Sequence, residues 1–331
     1  MYKIAFDLNG GDKALNEKLN ACVKFIQNNH NFKIVLVGPQ NQILAFFNQK
    51  LPSNFEIIDN HLTSSNPKNL RLSLHEQTSM NQTLKLLADK KVDAVLSAGD
   101  SGLYLSAATF IVKRLDNISR AAFMAIFPTI IKNNQLLFLD AGANVETKEE
   151  FIYDWARIGN VFAQKAYKKV NPRIGLINIG TENYKGNEII QKADKLLKEN
   201  SKLNYLGFIE SRNLLEGEID IALVDGYGGN LVVKSYEGAI NSFKNLLKKT
   251  IKKSFIRKIA YLFMKKGFKE AAETLDYRNI GAAWVIGLNG LVAKAHGASD
   301  EKAFLGALYQ IKLAIENDVL SLIKAELGIN E

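Results

Sequence analysis

What most limits how this chain can fold is a repeated alternation of short apolar runs with segments of helical spacing. Lys3–Asp7, Lys33–Gly38, Phe55–Ile58, Ala94–Ser97, Leu136–Leu139, Ile174–Ile179 and Ile221–Val224 read as buried strands. Between them, the stretch running to about Asn28, then Gln40–Gln49 and Asn81–Asp89, read as helices. A strand that is apolar throughout must be covered on both faces, and strands joined through helices run parallel. The pattern predicts an α/β fold, a mostly parallel sheet with helices on both faces. No Pro/Ser-rich linker, low-complexity tract or internal repeat interrupts it, so we expect one α/β domain over residues 1–331.

With 331 residues, 47% of them hydrophobic, the chain can bury a core without staples. The single cysteine, Cys22, falls in the apolar pattern Leu19, Cys22, Val23, Ile26 and reads as core. One cysteine cannot close an internal disulfide, which fits a reducing cytoplasm. Asp7 arrives before any apolar run develops, so no export signal is expected. The most apolar stretches, Ala121–Ile131 and Gly281–Ala293, are too short to cross a membrane.

Four of the strands end in turns rich in Gly with Asp or Asn: Asn9–Asp12, Gly99–Gly102, Asp140–Asn144 and Asp225–Asn230. In open α/β sheets ligands bind beyond the carboxyl ends of the strands, and glycine turns opening helices offer free N–H groups to an anion. Such turns along one sheet edge suit phosphate or another oxyanion; the alternative is that they are only turns. Nucleotide motifs are missing. Gly226-Tyr-Gly228-Gly-Asn-Leu231 has Leu where a dinucleotide fingerprint needs glycine, and in Gly180–Gly186 the lysine, Lys185, precedes the second glycine, unlike a P-loop. There is no G-x-S-x-G elbow, and His30, His61 and His75 lie in polar stretches without metal-ligand spacing. His296 sits in Lys294-Ala-His-Gly-Ala-Ser299-Asp300, just before a helix that Ser299 or Asp300 caps; it reads equally as a site residue or a turn residue. Acyl transfer to phosphate needs no enzyme nucleophile, only a cation for the phosphate and donors for the developing oxyanion. Lys185, at a helix-opening turn, and Asn230 have those properties, although an exposed lysine there is also commonly just solvated.

The net charge of +9 is local. Lys244 to Lys269 carries ten Lys or Arg and no Asp or Glu, so the rest of the chain stands at −1. Within Asn241–Phe268, Phe243, Leu247, Ile251, Phe255, Ile259 and Leu262 recur at helical spacing, which predicts a basic amphipathic helix or helix pair projecting near 240–275. It could lie on an anionic membrane, dock an acidic protein, or pack its stripe on the body; no nucleic-acid motif accompanies the charge.

Six blocks in order resemble the bacterial phosphate acyltransferases, the acyl carrier protein:phosphate transacylases of the PlsX family. They are Phe6-Asp7 with Gly10-Gly11-Asp12, Ser97–Gly102, Asp140–Asn144, Asn178–Gly180 with Lys185–Glu188, Asp225-Gly226 with Gly229–Lys234, and Lys294–Ser299. The resemblance covers nearly the whole chain. It implies a Rossmann-like fold related to phosphotransacetylases and isopropylmalate-type dehydrogenases, and a homodimer. It also implies acyl carrier protein as long-chain acyl donor, inorganic phosphate as acceptor, and an acyl phosphate product used for phospholipid synthesis. No metal or organic cofactor is implied; independently of the resemblance, the cysteine usage points to the cytoplasm and the basic segment 241–268 to peripheral contact with the inner face of an anionic membrane. The family's catalytic lysine and asparagine fall on Lys185 and Asn230. Phosphate and acyl-donor binding falls on Gly10, Gly11, Asp12, Gly99, Ser101, Gly102, Asn144, Gly180, Asn187, Asp225, Gly229 and His296. Lys13, Asp100-Ser101 and Gly228 depart from the family's usual His, Asn-Thr and Thr.

Overall fold

The computed structural model describes residues 1–64, 66, 69–274 and 281–329; the far end of the expected projection, at 275, and residues 330–331 lie outside it. Its strands are β1 (Tyr2–Asp7), β2 (Phe32–Gly38), β3 (Phe55–Asp59), β4 (Ala94–Ser97), β5 (Ala122–Pro128), β6 (Gln135–Leu139), β7 (Arg173–Ile177), β8 (Asn204–Ile209), β9 (Ile221–Leu223), β10 (Ala282–Ile286) and β11 (Leu291–Ala295). They form one sheet in the order β3-β2-β1-β4-β11-β10-β5-β6-β9-β7-β8. The helices are α1 (Leu15–Gln27), α2 (Gln40–Phe46), α3 (Leu70–Ser73), α4 (Ser79–Ala88), α5 (Ser101–Ile111), α6 (Glu149–Lys165), α7 (Glu188–Glu199), α8 (Gly226–Lys252), α9 (Phe255–Thr274), α10 (Glu301–Glu316) and α11 (Val319–Glu326).

Period-two alternation sorts the strand side chains between two faces. Ile4, Phe6, Ile34, Leu36 and Leu96 pack with Leu19, Cys22 and Phe25 of α1 and Phe304 and Leu308 of α10. Ala5, Val35, Val37, Val95 and Val292 face the other way, against Leu84 of α4 and Leu103 and Tyr104 of α5. Beyond β5, Leu136, Phe138, Ala222 and Val224 pack with Val232, Val233 and Tyr236 of α8. Each fully buried Leu, Ile or Phe contributes roughly 1.5–3 kcal/mol, so both faces of the sheet are covered as the apolar strands require. Cys22 is inside this core, and burial pushes its thiol pKa up. His30, His61 and His75 are exposed.

The sheet is largely parallel but reverses direction in its middle. β11 and β10, β10 and β5, and β5 and β6 are each antiparallel. Three successive reversals leave β1, β2, β3, β4 and β11 running one way and β6, β7, β8 and β9 the other. This corrects the expectation that the four glycine turns share one sheet edge: those after β1 and β4 leave one edge, those after β6 and β9 the opposite one. Two of the reversals come from short links, Gly287–Gly290 between β10 and β11 and Thr129–Asn134 between β5 and β6, which are too short for a parallel crossover; the third is the antiparallel pairing of β10 with β5, strands distant in sequence.

The basic segment is a helix pair, α8 breaking at Lys253-Ser254 before α9. Its apolar stripe does not pack on the body. Of the stripe, Phe243 is 66% exposed, Phe255 76% and Leu262 67%, with Leu247 and Ile251 half-buried where α8 meets α9. No described helix is long and apolar enough to cross a membrane.

Candidate active site

α8 starts at the end of β9 and runs back over the sheet face that carries Ala125 and Phe127. A cavity of about 660 Å³ lies between this helix and the turns after β1, β4 and β11. Gly11, Asp12, Gly99, Asp100, Ser101, Lys294 and His296 make it polar on one side; Phe123, Phe127, Leu215, Val233, Tyr236 and Ile240 make it apolar on another; Asn230 and Gly142 also line it.

The polar side is tied together by buried groups. The Asp7 carboxylate, 1% exposed, accepts from the hydroxyls of Ser79 and Ser97, each at 2.6 Å. The Ser97 hydroxyl in turn accepts from the Gly99 amide at 3.0 Å, so one carboxylate registers the β1 and β4 turns. Lys18 donates to the carbonyls of Leu8 (2.7 Å) and Gly10 (2.6 Å) and holds the first turn from beneath. Burial lowers its pKa, against the fields of Asp7 and Asp12. Gly11 has φ +88°, and a Cβ there would stand 2.9 Å from that of Ala98, so the close approach of the β1 and β4 turns requires glycine. Asp12 donates its amide to the Gly297 carbonyl at 2.8 Å, joining the β11 turn. Lys294 is 7% exposed and donates to the Ala295 carbonyl at 2.5 Å. Burial pulls its pKa down to about 8, while Asp100, Asp7 and Asp12 push the other way. His296 lines the cavity, and its Nδ1 accepts from the Ala298 amide at 3.2 Å, so it also belongs to the turn.

On the other side Asp140, fully buried, accepts from the amides of Phe123 (3.0 Å), Gly142 (3.1 Å), Ala143 (2.9 Å) and Asn144 (2.8 Å) and from the Asn144 side chain (2.9 Å). Burial raises the Asp140 pKa and these donors oppose it. Asn144 also donates to the Ala121 carbonyl at 2.9 Å, so its amide is committed to holding this turn. A Cβ at Gly229 would fall 1.8 Å from the Asp140 carbonyl oxygen; only glycine lets α8 begin against this turn and bring Asn230 beside Gly142. Asp225 caps α8, accepting from the Gly228 amide at 2.8 Å.

Of the residues expected at the site, Gly11, Asp12, Gly99, Ser101, Asn230 and His296 meet in this cavity. Gly10, Gly102, Asn144, Asp225 and Gly229 belong to the turns and helix starts that shape it. Lys185, Gly180 and Asn187 sit on the turn after β7, outside the cavity wall. There Lys185 pairs with Glu182 at 2.8 Å, its tail lies over Gly180, and Asn187 caps α7 by accepting from the Ile190 amide at 2.9 Å. Lys294 and the apolar wall are not among the residues expected at the site. The available signals were the family block that begins at Lys294 and a lone lysine next to the end of the otherwise apolar strand Leu291–Ala295.

The fold is shared with solved phosphotransacetylases: that of Streptococcus pyogenes superposes with TM-score 0.62 at 14% identity, covering 95% of this chain and 94% of the other. The class is therefore the phosphotransacetylase-like α/β fold. Residues 2–322 match the family model described as "Fatty acid synthesis protein". The Phosphate acyltransferase of Mycoplasmopsis agalactiae is 54% identical, over 99% of this chain and 98% of that one, and that of Mycoplasmopsis pulmonis is 48% identical, over 99% and 100%. The chain belongs to the phosphate acyltransferase family, and it is an acyltransferase.

Proposed function

We propose that the chain moves a long-chain fatty acyl group from acyl carrier protein to inorganic phosphate, giving an acyl phosphate for phospholipid synthesis. The observation that supports this best is the single cavity with glycine turns and a buried lysine on one side and a long apolar wall on the other. An anionic acceptor suits the first and an acyl chain the second. In the step, a phosphate oxygen lone pair attacks the thioester carbon and the C=O π pair moves to oxygen. The Asn230 amide donates to that oxyanion, and Lys185 offsets the accumulating negative charge after leaving Glu182. Collapse breaks the C–S bond; sulfur leaves with the electron pair and takes a proton from water. The working form is a homodimer at the cytoplasmic face of an anionic membrane, contacted through the exposed stripe of α8 and α9.

The test is incubation with long-chain acyl carrier protein and phosphate, followed by detection of acyl phosphate. Transfer only from coenzyme A thioesters would make the chain a short-chain phosphotransacetylase, and no transfer from either would end the proposal. In the active enzyme, Lys185→Ala should lower kcat by about 100-fold or more, and Asn230→Asp should be slower than Asn230→Ala, since it exchanges a donor for a negative acceptor.

A further inference from the structure

We propose that Lys294 grips the phosphate acceptor: it is a cation built into the cavity where the β1, β4 and β11 turns meet. This rests on the reading of the cavity as the place of acyl transfer to phosphate.

The position is unusual for a lysine. β11 lies inside the sheet, between β4 and β10, and Lys294 stands in register with Ser97 on one side and Ala283 on the other. Two small neighbours leave room for a long side chain to be swallowed, and it is 93% out of solvent at the cavity wall. Burying an ammonium is costly unless something compensates it. Among the described residues its hydrogen bond goes to the carbonyl of the next residue, Ala295, and an ammonium has three donors. Donor capacity is left for a ligand in the cavity that Lys294 lines.

The surroundings hold the charge in place. Asp7 of β1, Asp12 of the β1 turn and Asp100 of the β4 turn all bear on it. Asp12 and Asp100 also line the cavity and by themselves would repel an anion; Lys294 offsets part of that charge. The remaining polar groups around it are otherwise engaged. Lys18 of α1 is spent on the Leu8 and Gly10 carbonyls, and the Tyr104 hydroxyl of α5 donates to the Ala293 carbonyl at 3.2 Å. On the β11 turn, His296 accepts at Nδ1 and Asp300 caps α10. Lys234 of α8 lines the cavity too, but from an exposed position. Lys294 is thus the buried cation of the cavity among the described residues, and a desolvated ammonium gives the strong, short hydrogen bonds that phosphate oxygens accept. Its role differs from that proposed for Lys185: Lys294 holds the acceptor in the ground state, so it acts on KM rather than on kcat.

The experiment compares the wild type, Lys294→Met, Lys234→Met and Asp100→Asn as full chains. Calorimetric titration with inorganic phosphate, without acyl donor, reads binding alone; steady-state kinetics read KM for each substrate. Lys294→Met should weaken phosphate binding and raise the phosphate KM by about 10-fold or more, the scale of one charge-assisted contact. The acyl-donor KM should stay within about 2-fold, and Lys234→Met should change phosphate binding by less than about 3-fold. Phosphate's own ionisation is common to all the proteins. The ratio of wild-type to Lys294→Met affinity should therefore fall as pH rises through about 8, where Lys294 loses its proton. Asp100→Asn, which keeps a side chain able to cap α5, should move that fall to lower pH. Phosphate binding that is absent in the wild type, unchanged in a folded Lys294→Met protein, or weakened in a ratio flat with pH overturns the proposal. Should Lys294→Met not fold, an unshifted pH profile in Asp100→Asn does so alone. Phosphate binding lost with Lys294, in a protein that acylates phosphate from no thioester, would leave this site standing and remove the proposed function instead.

Discussion

Lys294 also has a stability signature. Its pKa is about 8 in the folded chain against 10.5 for the free side chain. Below pH 8 both states carry the proton and the folded state bears the full cost of the buried charge. Between about 8 and 10.5 the unfolded chain binds a proton that the folded chain has lost, so stability rises with pH across that window. A shift of this size corresponds to about 3 kcal/mol. Lys294→Met should therefore be the more stable protein in urea at pH 7, by up to that amount, with the gap closing as pH approaches 10. Equal stability at both pH values would show that burial costs this ammonium nothing. At this scale the sequence was ambiguous for a chemical reason. Asp100, Asn187 and Asp225 stand where strands hand over to helices, and there an Asp or Asn serves equally as an anion-site neighbour or as an N-cap. All three cap helices, each accepting from a backbone amide three residues on. Lys294 stands in the family block Lys294–Ser299, but its burial is not legible there, because that depends on its neighbours in the sheet.

Among the elements, α8 carries most of the site's second side, and its start is the vulnerable point. Asp225→Ala should cost about 1 kcal/mol in chemical denaturation, with Asp225→Asn close to neutral. Equal losses in both would mean that the charge, not the cap, matters. The strands bounded by clear turn residues were legible: Ala94–Ser97 matches β4 residue for residue, and β1, β2, β3 and β6 differ at their ends by one residue. β5 and the β10–β11 hairpin were not, since β5 and β10 lie within, and β11 begins within, the continuous apolar stretches Ala121–Ile131 and Gly281–Ala293. An apolar run with no alternation does not show whether it is helix or strand, or where it folds back on itself. Missing these strands hid the reversal of the sheet, and with it the cleft.

At the scale of the whole molecule, the exposed arm of α8 and α9 is the part proposed to meet an anionic membrane. Replacing Lys248, Lys249, Lys252 and Lys253, all exposed, with Gln removes about 1 kcal/mol of attraction to an anionic surface per lysine. Co-sedimentation with anionic vesicles should fall, and high salt should weaken the wild type in the same sense, while acyl transfer in solution stays intact. A raised acyl-donor KM with unchanged co-sedimentation would instead assign the arm to acyl carrier protein.

The sequence alone determined the fold class, the family, the core placement of Cys22 and the basic amphipathic arm. The fold class, the core cysteine and the arm follow from local pattern (apolar periodicity and charge along the chain), and the family from the resemblance of six short blocks in order. The direction of half the strands, the meeting of the Gly11 and Gly99 turns with Asn230, the apolar wall and the burial of Lys294 were decided by tertiary structure. They depend on which strands become neighbours: two short links turn the chain back, and β10 pairs with β5, which is distant from it in sequence.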